Sequence, residues 1–150
     1  MDDQPTPRGI RNNNPGNIRW STIEWNGLVS ADQRTDPDFC QFVSPYYGLR
    51  ALALNVHSYF ARHGLKTVRG IITRWAPPEE NDTHAYINCI AERMQVSADQ
   101  DISLDDWLTL HNLVSAITTE ENGLGPLPDG RWFALDIMGA AVSNVLGVAR

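Results

Sequence analysis

Two adjacent carboxylates, Glu120 and Glu121 in LVSAITTEENGLGPLPDG (residues 113–130), close an apolar run and precede an Asn122-Gly123 break. The apolar positions before them, Trp107, Leu110, Val114 and Ile117, advance by three, four and three residues, and four more reaches Glu121. Glu121 thus continues the buried stripe of a helix, while Glu120 lies about 100° away, below Leu113 and Ala116. Burial disfavours the charged form of a carboxyl, a helix C-terminus disfavours negative charge, and the neighbouring carboxylate acts in the same sense. All three effects favour a proton on Glu121, and a carboxyl that keeps its proton near neutral pH is suited to general acid catalysis. The alternative is a frayed helix end, with the stripe stopping at Ile117 and both glutamates solvated.

Other chemistry-bearing residues form no recognisable set. His57, His63, His84 and His111 lack a metal-ligand spacing such as HExxH, and no Ser-His-Asp or Cys-His signature stands out. Cys40 and Cys89 lie in apolar settings (FCQFV and INCIA) with no CxxC. No metal and no cofactor are expected, and two buried free thiols are expected in preference to a disulfide.

The elements that must position Glu121 are legible in outline. The opening RGIRNNNPGNIRW carries Asn-Pro-Gly turn signals, and NIRWSTIEW and LVSADQRTDPDFCQFV flank Asn26-Gly27, a strong hairpin signal. Residues 17 to 43 are therefore expected to form a small hairpin or three-stranded β-sheet. From Pro45, Leu49, Leu52, Val56, Tyr59 and Phe60 recur at helical spacing until His63-Gly64, a C-cap pattern. Val68, Ile71, Ile72 and Trp75 make a second, shorter helix, ended by Pro77-Pro78. Asn81, Asp82 or Thr83 caps a third, which buries Tyr86, Ile87, Ile90, Ala91 and Met94. Ser103 with Asp106 resembles a capping box and opens a fourth helix through about residue 121; residues 132 to 147 give a fifth. The expected fold class is mainly α, with a small N-terminal β element.

Bulk properties agree with one domain over residues 1–150, since a chain of 150 residues hides roughly two-thirds of its unfolded surface. MDDQPTPRG has no basic n-region or apolar h-region, so it does not read as a secretion signal, and residues 1 to 8 read as a disordered tail. FALDIMGAAVSNVLGVA is too short to span a membrane and contains Asp136 and Asn144, so it reads as a core helix. A net charge of -6 argues against a nucleic-acid partner, which needs a basic footprint. The charges are segregated: from Phe39 to Pro78 all are basic, whereas from Glu79 to Glu121 ten are acidic and only Arg93 is basic. Solvated helix faces that attract one another are expected.

Taken together, RGIRNNNPGNIRW, Trp25-Asn26-Gly27, DPDFCQF, YGLRAL, RWAPPEENDTHAY and the final EENG resemble a family of small phage and prophage proteins described as virion structural proteins. The resemblance runs from Arg8 to about Gly123, and WAPPEENDTHAY, residues 75–86, is its most specific part. More remotely, the order of a hairpin with an N..NI segment, YGLRAL, an aromatic-Ala-Pro loop and a Thr..Tyr helix is similar to that of lysozyme-like muramidases, lytic transglycosylases and glucosaminidases. In those enzymes the catalytic Glu ends a helix just before the hairpin; here only Asp2 and Asp3 precede it. The departure either removes the activity or moves the acid. If the helix ending at Glu121 fills the place of that first helix, the domain is a circularly permuted lysozyme-like fold, a cheap change because domain termini are often close.

The resemblance implies cleavage of a β-1,4 bond between aminosugars, with Glu121 as the acid. Hydrolysis needs a second carboxylate, at about 5 Å as nucleophile or about 6.5 to 9.5 Å as base. Asp32, Asp36 and Glu24 are the candidates, although Asp36-Pro37 is equally a turn former and Glu24 equally an outward strand residue. Lytic transglycosylases need the acid alone. Tyr86, with Asn81 and Thr83, is implied to line the sugar cleft; Asn81-Asp82-Thr83 is otherwise a helix cap and Tyr86 a core residue. Three functional readings follow: a phage peptidoglycan glycosidase, a non-catalytic virion component that binds glycan or other virion proteins, and a wall-degrading toxin delivered by a secretion machine. The first places the protein in the virion, or in the bacterial cytoplasm before release, and its action at the periplasm and cell wall. The acidic pI counts against the enzyme, because anionic walls attract basic proteins.

Overall fold

Local signals account for most of the helices in the computed structural model, which describes residues 5–147. Helix α1 spans Arg8–Arg11, α2 Pro45–His63, α3 Val68–Trp75, α4 Thr83–Met94, α5 Trp107–Asn122 and α6 Leu135–Leu146. Pro45 stands at the first turn of α2, where its missing N–H costs nothing, and Gly64 ends that helix in the left-handed region at φ 66. Thr67, Asp82 and Asp106 cap α3, α4 and α5, each accepting from the backbone N–H three residues on. Among the described residues no helix is long and apolar enough to cross a membrane.

The mainly helical class is therefore as expected, with several local corrections. The turn-rich opening contains the short helix α1. Of the stretch 1 to 8 expected to be disordered, residues 1–4 lie outside the described residues and Arg8 is already helical. Asp106, not Ser103, caps α5, because its carboxylate accepts from both the N–H and the hydroxyl of Thr109. The last helix starts at Leu135, since Trp132 is held back by the bond from its Nε1 to the Gly123 carbonyl at 2.8 Å.

The expected hairpin or sheet over residues 17 to 43 is replaced by two isolated antiparallel bridges, Arg19 with Phe39 and Leu28 with Phe42. Trp20 N–H donates to Asp38 O and Cys40 N–H to Ile18 O, while Val29 N–H donates to Gln41 O and Val43 N–H to Gly27 O. Alternate residues of an extended chain point their polar groups to opposite edges, so residues 38 to 43 run between 18 to 20 and 27 to 29. Trp25-Asn26-Gly27-Leu28 is indeed a turn, closed by Leu28 N–H to Trp25 O at 3.2 Å. Only Gly27 of the central pair has positive φ, at 74. That is the geometry of a type II turn, which splays the chains it joins where a type I′ turn would pair them.

Helix α5 is the hub, packing against α1, α2, α4 and α6. Leu110, Leu113, Val114 and Ile117 are wholly buried and Ala116 and Thr118 nearly so, so burial extends well beyond the expected stripe. Trp107, expected on that stripe, stands at its edge and donates from Nε1 to Ser143 Oγ of α6 at 2.9 Å. A smaller cluster of Cys40, Phe42 and Ala51 joins the bridged segments to α2. Both cysteines are free; Cys40 is buried as expected, Cys89 only half-buried. Of the segregated charges, Arg69 of α3 pairs with Asp99 at 2.6 Å, and the His57 ring of α2 hydrogen-bonds the Asp105 carboxylate at 2.8 Å. Leu110→Ala and Val114→Ala should each cost about 2 to 4 kcal/mol in denaturant unfolding, as truncations at fully buried sites do. If both stay within about 0.5 kcal/mol, α5 is not the centre of the core.

Candidate active site

The end of α5 is clasped by the asparagine-rich loop that follows α1. Asn122 donates from Nδ2 to Pro15 O at 2.8 Å and to Thr118 O at 2.9 Å. Asn14, fully buried, donates to Ile18 O and Cys40 O and accepts from Ile18 N–H, while Asn13 donates to Phe42 O. Asn13 and Asn17 lie in the left-handed region at φ 52 and 48, a conformation that asparagine tolerates better than most side chains. The turn aims the Asn17 amide at Glu121: Nδ2 donates to Oε1 at 2.9 Å.

From the other side the Tyr86 hydroxyl of α4 donates to Glu121 Oε2 at 2.7 Å, and Trp75 Nε1 at the end of α3 donates to the Tyr86 oxygen at 3.2 Å. Burial, and then the Glu121 charge beside it, push the Tyr86 phenol well above its ordinary value, so it remains a donor at any working pH. Glu121 is thus oriented by two neutral donors from segments far apart in sequence, and this half-buried residue lines a cleft of about 320 Å³.

The cleft is lined by Arg8, the loop from Gly16 to Arg19, and Phe39. Asn55 and Tyr59 of α2, Trp75 and Ala76, and Glu80 and Asn81 of the α3–α4 loop also line it. Arg19 and Glu80 face each other at 4.0 Å with both side chains more than half exposed, a pair worth little to stability. Aromatic side chains among amide and carboxyl groups suit a ligand that offers both apolar and hydrogen-bonding surface.

Of the residues singled out in the sequence, Glu121 and Asn81 line this cleft. Tyr86, expected to line it, is instead buried behind Glu121, where it holds the carboxyl. Asp36 does not line the cleft: it accepts from Asn12 Nδ2 at 3.0 Å and from the N–H groups of Asp38 and Phe39, bonds that close its own turn. Those bonds, led by the Asp38 N–H, keep its carboxyl below the ordinary value of 3.8. Asp32 accepts from Ser30 Oγ at 2.7 Å on the exposed loop, and Glu24 is exposed; neither lines the cleft. Thr83 donates to Ala76 O at 2.6 Å, tying α4 to the end of α3. Glu120 does not line the cleft, and its charge, after burial, pushes the Cys89 thiol up.

Asn17, Trp75, Tyr59, Phe39, Arg8, Arg19 and Glu80 are site residues that sequence reasoning did not assign. Asn17 lay inside the quoted N..NI segment, and its left-handed turn is consistent with the Asn-Pro-Gly-Asn signal. Tyr59 and Trp75 read as core because they sit on the apolar faces of their helices, and nothing local marks Glu80. Among the described residues no group of three or more His, Cys, Asp or Glu side chains is placed to hold a metal ion.

No protein-family model matches the chain. Over 122 residues it is 39% identical to Protein P5 of Pseudoalteromonas phage PM2, an alignment that covers 79% of this chain and 73% of that protein. At that identity and coverage, the mainly helical chain with its clasped glutamate belongs to the family of the phage Protein P5.

Proposed function

We propose that this protein is a phage-derived glycosidase that cleaves the glycan strands of peptidoglycan, with Glu121 as general acid. The observation that carries the reading is the placement of Glu121: a carboxyl at the end of a central helix, held by Asn17 and Tyr86, opening into a cleft with aromatic and amide walls. A circularly permuted lysozyme-like fold would account for that placement, since Glu121 ends α5 and bonds Asn17 just before the bridged segment, as a catalytic Glu that ends a helix would. The protein would reside in the virion, or in the bacterial cytoplasm before release, and act at the cell wall.

The route that fits is the one needing a single acid, that of a lytic transglycosylase. Asp32, Asp36 and Glu24 stay outside the cleft, and the other carboxylate in its wall, Glu80, is exposed and faces Arg19. Glu121 gives its proton to the leaving glycosidic oxygen as the bond to the anomeric carbon breaks. The C6 hydroxyl of the same sugar then attacks that carbon and returns its proton to Glu121, which closes an anhydro ring without water. Incubated with purified peptidoglycan between pH 4 and 8, the wild type should release fragments with anhydro ends. Fragments with reducing ends would mean a hydrolase with a second carboxylate, and no fragments from folded protein would remove the enzyme reading.

A second reading has its own support. Both oxygens of Glu121 are satisfied within the protein, which also suits a structural clasp between α4, α5 and the asparagine loop of a non-catalytic virion component. Tyr86→Phe separates the two. It deletes one hydrogen bond to a carboxylate, worth about 1.5 to 3 kcal/mol, so a positioned acid should lose roughly tenfold to a hundredfold in kcat and its pH–rate profile should move. A clasp alone would show a lower melting temperature with no activity to lose.

A further inference from the structure

We infer that Arg8, Phe39 and Arg19 form a carboxylate-binding subsite in the wall of the cleft, which recognises an acidic substituent carried on the glycan; this rests on the proposed glycan substrate. The Arg8 guanidinium carbon lies 3.7 Å from the centroid of the Phe39 ring and that of Arg19 lies 4.9 Å from it. All three residues line the cleft, with Phe39 only 7% exposed beneath the two exposed arginines. A guanidinium held over a ring face is fixed in orientation, and its N–H groups stay available for a planar, bidentate acceptor. A carboxylate is such an acceptor.

The nearby acidic groups do not use up these cations. Glu121 takes its hydrogen bonds from Asn17 and Tyr86. Asp36 feels the charge of Arg8, but its oxygens accept from Asn12, Asp38 and Phe39. Among the described residues Arg8 has no ion pair, and Arg19 has only the 4.0 Å approach of Glu80. A chain of net charge -6 thus places two weakly committed arginines beside its candidate acid. In peptidoglycan every second sugar bears a 3-O-lactyl group. Its carboxyl is either free or amide-linked to a stem peptide that carries carboxylates of its own, whereas a chitin strand has neither. Glu80 is then a placeholder on Arg19 that the substrate's carboxylate displaces.

The test uses the Glu121→Gln protein, which keeps the cleft but is not turned over, and three ligands of equal length. These are glycan fragments with stem peptides, fragments stripped of stems so that the lactyl carboxylate is free, and chitooligosaccharides. Arg8→Gln with Arg19→Gln should weaken binding of a carboxylated ligand about tenfold or more and leave chitooligosaccharide binding within about twofold. Glu80→Gln should tighten the carboxylated ligand and not the neutral one, an outcome that a folding defect cannot produce. Stripped fragments binding better than stem-bearing ones would identify the lactyl carboxylate, and the reverse order the stem. Equal losses on all ligands, or none, would overturn the subsite. Binding with this pattern by a protein whose wild type cleaves nothing would leave the subsite standing and remove only the enzyme; no binding to any glycan would remove both.

Discussion

Glu121→Gln should lower peptidoglycan cleavage by about a hundredfold or more while stability is kept or raised. The substitution removes the transferable proton and little else, because glutamine has the same shape. The Gln oxygen can accept from Tyr86, and its new amide donors need an acceptor where Glu121 Oε1 now meets Asn17. That acceptor is present: Asn17 Oδ1 is buried with no hydrogen-bond partner, and rotating the Asn17 amide end for end would turn it toward the new donor. Glu120→Gln is the matched control, since that residue does not line the cleft. The measurement is fragment release against a thermal or urea unfolding curve for each variant. Equal activity of Glu121→Gln and wild type would end the proposal, and the unfolding curve separates a lost proton from a lost fold.

Gly48→Ala should be the most damaging small change in the fold. Gly48 is buried in α2, and a Cβ placed there would lie 1.7 Å from Asn13 O, 2.8 Å from Asn13 C and 2.9 Å from Pro15 Cδ. These atoms belong to backbone and a proline ring, so they cannot rotate aside, and α2 must separate from the asparagine loop. Overpacking of this kind costs about 3 kcal/mol or more, at the upper end of the usual range. For a domain of this size the melting temperature should fall by roughly 6 to 12 °C. Because the loop also carries Asn17, activity should fall with it. Gly139→Ala in α6 is the comparison, meeting only the edge of the Trp107 ring at 3.3 Å, and it should stay within about 1 kcal/mol of wild type. A Gly48→Ala protein as stable as Gly139→Ala would mean that the loop does not depend on close contact with α2.

What the sequence determined by itself were the interactions that reach one helical turn. The cap of α4 within Asn81-Asp82-Thr83, the stops at Gly64 and Asn122-Gly123, and the apolar periodicity of α2 to α5 are relations between residues a few positions apart, so they can be read without a fold. The three-four-three-four step that singles out Glu121 is of the same kind, and the structure does place that carboxyl at the edge of the core. Tertiary structure decided the rest. Whether Asn26-Gly27 joins a ladder depends on what residues 38 to 43 offer on each edge, and they take both flanking segments one bridge at a time. Asp36 looked free for chemistry until Asn12 and its own turn occupied its oxygens. The donors on Glu121 come from Asn17 and Tyr86, 104 and 35 residues away, and such pairings follow from how α1, α4 and α5 pack. Hydrogen bonds across those separations leave no periodic trace in the chain, because nothing repeats between their ends.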